Sequence, residues 1–389
     1  MNSRLLKALF LLEPGVIYLN HGSFGACPRP VFEVYQALQR RLESHPVRFI
    51  NREYAQLHQQ ARHALGAYLQ TDPDDLVLIP NATHGVNIVM RSLRLARGDE
   101  ILTSDQEYGA CNSTWEFYSQ KSGARYVRQR IALPALSEAA IVDQFWQGVT
   151  ERTRLIFLSH ITSPTAYRFP VEAICRRARQ AGILTLIDGA HAPGQIPLNL
   201  PAIGADFYTG NCHKWMMAPK GSAFFFARKE VQDLIEPLVV SFGWEQQDDS
   251  ILSRFQRYFH WTGTRDPAAM FAIPAAIQFA QEHDWESVRQ TCHRLLQDAI
   301  ARISQWAGIP SIYLDDQAYY QMGVAPLPAE TDLAALSAYL SEQANIVVPC
   351  TQWWNRKFLR ISVQGYNTPE DLEALVSALN AFTQRNEKV

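Results

Sequence analysis

An α/β fold is what this 389-residue chain predicts: a mostly parallel sheet of about seven strands flanked by helices, with a smaller α+β domain toward the C-terminus. Two observations carry the prediction. Up to residue 267, short apolar runs alternate with stretches of helical period, the pattern of strands joined by helical crossovers. Beyond Pro267 the pattern changes to long helices. In order, the candidate strands are 76–79, 100–103, 124–127, 155–158, 183–187, 206–208 and 223–226. The first, Leu-Val-Leu-Ile, is apolar at every position and too short for a helix, which suits a strand covered on both faces. Helical patterns fill most of the gaps, 171–181 among them. The later region opens with helical stretches 268–282 and 285–306 and continues through 324–326, 333–343 and 358–363. Residues 1–12 mix basic and apolar residues as an amphipathic helix does. Glu13-Pro14 follows, where a secretory leader would carry small residues.

In a sheet of this kind, ligands bind beyond the carboxyl ends of the strands. The chemistry-bearing residues fall there: Thr83 after the first run, Tyr108 after the second, His160 after the fourth and Asp188, with His191, after the fifth. Lys214 follows in Asn211-Cys212-His213-Lys214-Trp215. A buried acid and a buried lysine at neighbouring strand ends are what a pyridoxal phosphate enzyme requires. The lysine links covalently to the aldehyde, and the carboxylate keeps the ring nitrogen protonated by Coulomb attraction and hydrogen bonding. Burial near other positive charge also lowers the lysine pKa toward the neutral, nucleophilic amine. For the phosphate, Asn81-Ala82-Thr83-His84-Gly85 opens a helix directly after a strand, where backbone N–H groups and the helix dipole suit an anion. The dipole alone contributes about 0.3 to 2 kcal/mol, so Thr83, Asn211 and His213 are the further donors expected.

Eight segments extend the pattern: Tyr18 to Gly25, Asn81-Ala82-Thr83, Asp105 to Ala110, Ser159 to Thr165, Asp188 to His191, Asn211 to Trp215, Trp261 to Asp266, and Leu359 to Ser362 with Tyr366-Asn367-Thr368. Together they resemble the class V aminotransferase superfamily, most closely its isopenicillin N epimerase-like branch, in the family's order and over essentially the whole chain. The resemblance implies the pyridoxal phosphate-dependent transferase fold of type I. It also implies residues 31–267 as the large cofactor-binding domain, 268–389 as the small domain, and 1–30 as a segment packing with the small domain.

Roles follow from the resemblance residue by residue. Lys214 carries the cofactor, Asp188 pairs with its ring nitrogen, His191 lies near its phenolic oxygen and Tyr108 stacks on its ring. Ala82, Thr83, His84, Asn211 and His213 surround the phosphate, and Thr264 reaches the phosphate of a neighbouring protomer, which implies a homodimer with the site at the interface. Arg360 clamps an amino-acid carboxylate, a task suited to a planar guanidinium. Asn20 and His21 line the same pocket. The side-chain pocket is expected from residues 45–49 of the partner and from Trp353 and Trp354.

Composition sets limits. A net charge of −2 gives no electrostatic case for nucleic acid. The six cysteines, at 27, 111, 175, 212, 292 and 350, show neither a zinc spacing nor a disulfide framework, and a reducing cytoplasm is the expectation. No run approaches membrane-spanning length. Lys214 is expected to take the α-proton of a bound amino acid, and the next step stays open. Return of the proton to the opposite face is epimerisation, protonation at the cofactor carbon is transamination, and loss of a β-substituent is a carbon–sulfur lyase reaction. Epimerisation needs a second acid, for which His21, His84 and Tyr108 are candidates. A desulfurase needs a reactive thiol on a mobile loop, and Cys350 is read as structural instead. A binding protein without turnover would need no carboxylate clamp.

Overall fold

The structure, a computed structural model, describes residues 3–245 and 252–386, so Met1 and Asn2 of the expected N-terminal helix lie outside the described residues. The described chain begins with helix Ser3–Lys7 and the two-residue strand β1 (Ile17–Tyr18). Seven strands then build the main sheet: β2 (Leu76–Ile79), β3 (Glu100–Ser104), β4 (Arg125–Gln129), β5 (Thr153–Ser159), β6 (Leu184–Asp188), β7 (Phe207–Asn211) and β8 (Ala223–Ala227). Each lies over an apolar run expected to be a strand. The order is β2-β8-β7-β6-β5-β3-β4, with β7, β6, β5, β3 and β4 parallel and β8 antiparallel to both neighbours. The expected mostly parallel seven-stranded sheet is therefore borne out.

Alternation of side chains explains how the sheet is buried on both faces. Leu78, Leu102, Ile156, Ile187 and Phe224 belong to one core cluster, while their strand neighbours Val77, Ile101, Phe157, Leu186 and Phe225 belong to another. The two edges are handled differently. Strand β4 presents Arg125 and Arg128 to solvent, charges that discourage strand addition. At the other edge, the Gln256 side-chain amide donates to the carbonyl of Leu76 at 2.7 Å and so occupies a free edge group of β2.

The C-terminal part adds β9 (Met322–Leu327), β10 (Ile346–Val347), β11 (Cys350–Trp353) and β12 (Arg356–Ser362). β11, β12 and β9 form an antiparallel sheet that packs against helix Trp285–Ala307, which in turn meets helix Pro369–Asn386. β1 pairs in parallel with β10, and the Ser362 N–H donates to the Leu19 carbonyl at 2.9 Å, so the first residues run alongside the small sheet. Two helices differ from expectation. Stretch 268–282 breaks at Ala272 into Ala268–Phe271 and Ile273–Glu282, because Pro274 supplies no N–H and its ring excludes the carbonyl four residues back. The N-terminal helix stops at Lys7, since Phe10 leaves helical geometry to bridge Pro28 and pack against Tyr366 at 4.8 Å. No helix among the described residues is long and apolar enough to cross a membrane.

Candidate active site

The carboxyl ends of β2, β3, β5, β6 and β7 converge on a cavity of about 160 Å³. Asp188 is the last residue of β6 and is 3% exposed. Its Oδ1 accepts from the Ala190 N–H at 2.9 Å and its Oδ2 from the Cys111 thiol at 3.6 Å. Neither partner is a cation. Burial raises its pKa, while those two hydrogen bonds and the charge of Lys214 oppose the rise.

Lys214 stands three residues beyond β7. Its carbonyl is held by His21, whose Nε2 donates to it at 3.1 Å, and its Nζ lies 3.3 Å from His191 Nε2. Burial pushes the amine down to about 8; Asp188 pulls the other way and Arg360 reinforces the fall. At pH 7 about a tenth is therefore the nucleophilic amine, far more than for an exposed lysine.

The anion end is built on helix Ala82–Ser92. Asn81 caps it, accepting from the His84 N–H at 2.8 Å, and the Ala82 N–H donates to Asn211 Oδ1 at 2.8 Å, tying the helix start to β7. Gly85 permits this approach: a Cβ there would fall 2.2 Å from Thr209 Oγ1. Thr83 and His213 line the cavity beside that end. His213 Nδ1 donates to the Ser222 carbonyl at 3.0 Å, so Nε2 can become a donor to an anion only when the ring takes up a proton. Burial holds that pKa down to about 4, a value that a bound phosphate would raise.

Arg360, on β12, stands behind the cavity wall and bonds to two residues that line it, Ser23 and Ser163. Nη1 donates to the Ser163 carbonyl at 2.8 Å and hydroxyl at 3.0 Å, Nη2 donates to the Ser23 hydroxyl at 2.8 Å, and Nε has no partner. Among the described residues no carboxylate pairs with it. The donor set thus fits pyridoxal phosphate on three counts: a buried carboxylate whose hydrogen-bond partners are both uncharged, a lysine depressed toward neutrality, and a capped helix start flanked by Thr83 and His213.

Tyr108 lines the cavity and is 48% exposed. Other expected residues sit elsewhere. His21 is fully buried, accepts from the Tyr366 hydroxyl and the Ala26 N–H at Nδ1, and has its pKa pushed down to about 3, which suits neither a substrate ligand nor a second acid. His84 is half-buried and does not line the cavity. Asn20 accepts from the Ser23 hydroxyl at 2.6 Å and so orients a partner of Arg360. Thr264 is exposed and away from the cavity of its own chain. In stretch 45–49, Arg48 is ion-paired with Glu53 at 3.2 Å. Trp353 is buried, while Trp354 donates to Asp105 Oδ2 at 2.6 Å.

Cys350 belongs to a regular strand, paired with Leu359, and burial pushes its thiol up to about 11. It is neither on a loop nor a low-pKa thiol. Sequence reasoning gave no role to Ser23, Ser163, Cys111 or Glu107. Glu107 is the most conspicuous of these, a buried carboxyl raised to about 7 chiefly by desolvation. The visible signal was a carboxylate wedged between an apolar strand and the aromatic Tyr108.

A family model described as aminotransferase class-V matches residues 17–375. The chain is 33% identical to the isopenicillin N epimerase of Amycolatopsis lactamdurans, covering 96% of each protein, and 34% identical to that of Streptomyces clavuligerus, covering 97% of each. It is 27% identical to a probable chloroplastic L-cysteine desulfhydrase of Arabidopsis thaliana, over 96% of this chain and 84% of that protein. Among solved structures, the cysteine desulfurase CsdA of Escherichia coli superposes with a TM-score of 0.83 at 21% identity, covering 99% of each chain, a likeness of fold.

Proposed function

The chain belongs to the class-V aminotransferase family and its cofactor is pyridoxal 5'-phosphate; from that membership we propose that it acts at the α-carbon of an amino acid, removing and returning the Cα proton as an epimerase does. The observation that carries a carboxylate-bearing substrate is Arg360, a guanidinium 8% exposed with no acid partner among the described residues. Leaving such a charge without a counter-ion is costly, so the site is incomplete until an anion arrives.

When bound, the cofactor supplies the electron withdrawal that acidifies Cα–H. The protein's own groups do the rest. Asp188 would hold a proton on the ring nitrogen, and Tyr108 would cover the ring. Arg360 takes the substrate carboxylate and so fixes which bond at Cα faces Lys214, a positioning effect. The Lys214 amine removes the proton and holds it at Nζ, and the Tyr108 hydroxyl, of the three candidate second acids the one that lines the cavity, returns a proton to the opposite face. Epimerisation is the leading reading because the two epimerases match at the higher identity over nearly full length. A carbon–sulfur lyase is the second reading, supported by the desulfhydrase relative. We further propose a homodimer, with the exposed Thr264 reaching the partner's phosphate site, and the domain division at residues 30 and 267.

The test is Cα–H exchange in deuterated water with a panel of L-amino acids, cysteine, its thioethers and peptide-linked amino acids among them, read by chiral chromatography with sulfide and keto-acid assays. Appearance of the D-isomer without sulfide supports epimerisation. Pyruvate with sulfide replaces it with the lyase reading. Lys214→Ala should abolish exchange with every substrate; residual exchange at the wild-type rate would remove Lys214 from the proposed role.

A further inference from the structure

Trp215, the residue directly after the lysine, is fully buried and has been given no part so far. Its indole Nε1 donates to His191 Nδ1 at 3.4 Å, and the other nitrogen of that imidazole, Nε2, lies 3.3 Å from Lys214 Nζ. An indole N–H can only donate, and a neutral imidazole has one donor and one acceptor nitrogen. Nδ1 is therefore the bare nitrogen, and the ring proton sits on Nε2. We infer that Trp215 is a positioning residue that locks His191 in its Nε2–H tautomer, so that the imidazole presents a donor to Lys214. An ammonium group carries three donors and no acceptor, and would meet that N–H proton to proton. A neutral amine accepts it through its lone pair. The indole thus acts through the histidine to favour the form of Lys214 that can attack a carbonyl.

The surroundings support a fixed geometry. The Trp215 ring lies 4.9 Å from the His21 ring, and His21 itself grips the Lys214 carbonyl. On the other side Gly194 approaches so closely that a Cβ there would stand 2.2 Å from the Trp215 carbonyl carbon. Electrostatics act in the same direction: burial, with Lys214 and Arg360 nearby, holds the His191 imidazole well below its usual range, so the ring stays neutral and the tautomer is a binary choice. Asp188 opposes the depression of the lysine, and Arg360 assists it. The device serves the lysine whichever way the reaction proceeds afterwards.

Nitrogen-15 NMR of the full chain, labelled in histidine and recorded with and without pyridoxal phosphate, tests it; His191 is identified by the signals lost in His191→Gln. The expected wild-type result is a neutral His191 protonated at Nε2 near neutral pH. Trp215→Phe keeps an aromatic ring but loses the N–H, and should populate both tautomers. The pH midpoint for reaction of Lys214 with the cofactor aldehyde should then rise by about one unit, a tenfold loss of rate below the midpoint. A proton on Nδ1 in the wild-type protein overturns the inference without need of any variant. A single unchanged Nε2–H tautomer in Trp215→Phe overturns it as well.

Discussion

Burial drives Lys214 and Glu107 toward uncharged forms, the amine down to about 8 and the carboxyl up to about 7. For Lys214 the consequence is kinetic. Covalent capture of pyridoxal phosphate by cofactor-free protein, followed by absorbance, should speed up nearly tenfold per pH unit below 8 and level off above it. A profile still rising tenfold per unit through pH 9 would mean that the amine is not depressed as its burial demands. For Glu107 the consequence is thermodynamic. Its oxygens accept from the Ser104 hydroxyl at 2.6 Å and from the Ser159 N–H at 2.9 Å, hydrogen bonds that only partly offset desolvation. The folded protein keeps this proton to higher pH than the unfolded chain, whose carboxyl ionises near 4.5. Its stabilising contribution is thus complete below 4.5 and is lost as pH rises through 7, a change on the order of 3 kcal/mol. In Glu107→Gln that slope should vanish. Melting temperatures of the two proteins that run parallel across this window would refute the assignment.

Arg360 is carried by the β11–β12 hairpin, so what anchors the hairpin also sets the distance from the guanidinium to the lysine. The tip does the anchoring: Trp354, at φ +54°, donates to Asp105 and lies under the Arg130 guanidinium at 4.5 Å, while Arg356 donates to the Leu133 carbonyl at 3.2 Å. Trp354→Ala should raise KM for the amino acid about three- to tenfold, the value of one such contact, and leave cofactor capture by Lys214 unchanged. Equal loss of both would assign the tip to general stability instead. This hairpin also marks the limit of what was legible in the sequence. Most strands of the main sheet were readable because their central residues are buried on both faces and therefore apolar, as in β2 and β8; the edge strand β4 was read from its Tyr126-Val127 pair alone. β11 was not, because Cys350-Thr351-Gln352-Trp353 is half-exposed and mixes polar with apolar residues. Lys214, Asp188 and His191 could be found because each follows an apolar strand. Ser23 and Ser163 could not, since a serine beside a strand is ordinarily a turn residue and only the fold brings both to Arg360. His21 misled for the converse reason: its neighbours Asn20 and Ser23 do approach the site, but its ring turns inward to Tyr366.

At the scale of the whole molecule, the cavity is lined by Lys214 and Asp188 from the large sheet, the small sheet holds Arg360 behind the lining residues Ser23 and Ser163, and Tyr108 and Phe24, which also line it, are 48% and 68% exposed. Thr264 is exposed and is not among the residues lining its own cavity, and the proposed two-fold dimer has each protomer complete the other's phosphate site. Subunit mixing distinguishes this from Thr264 acting within its own chain. Lys214→Ala and Thr264→Glu are each expected to be inactive when pure, the first for want of the amine, the second because a carboxylate would face the phosphate. In a hybrid dimer, the Thr264→Glu protomer keeps its Lys214 and receives an intact Thr264 from its partner, so one site in two is restored. Unfolding and refolding an equal mixture should therefore recover about one quarter of wild-type activity per protomer, half of the dimers being hybrids with one working site each. If Thr264 served its own chain, the hybrid would combine one site lacking the lysine with one blocked by glutamate, and mixing would recover nothing.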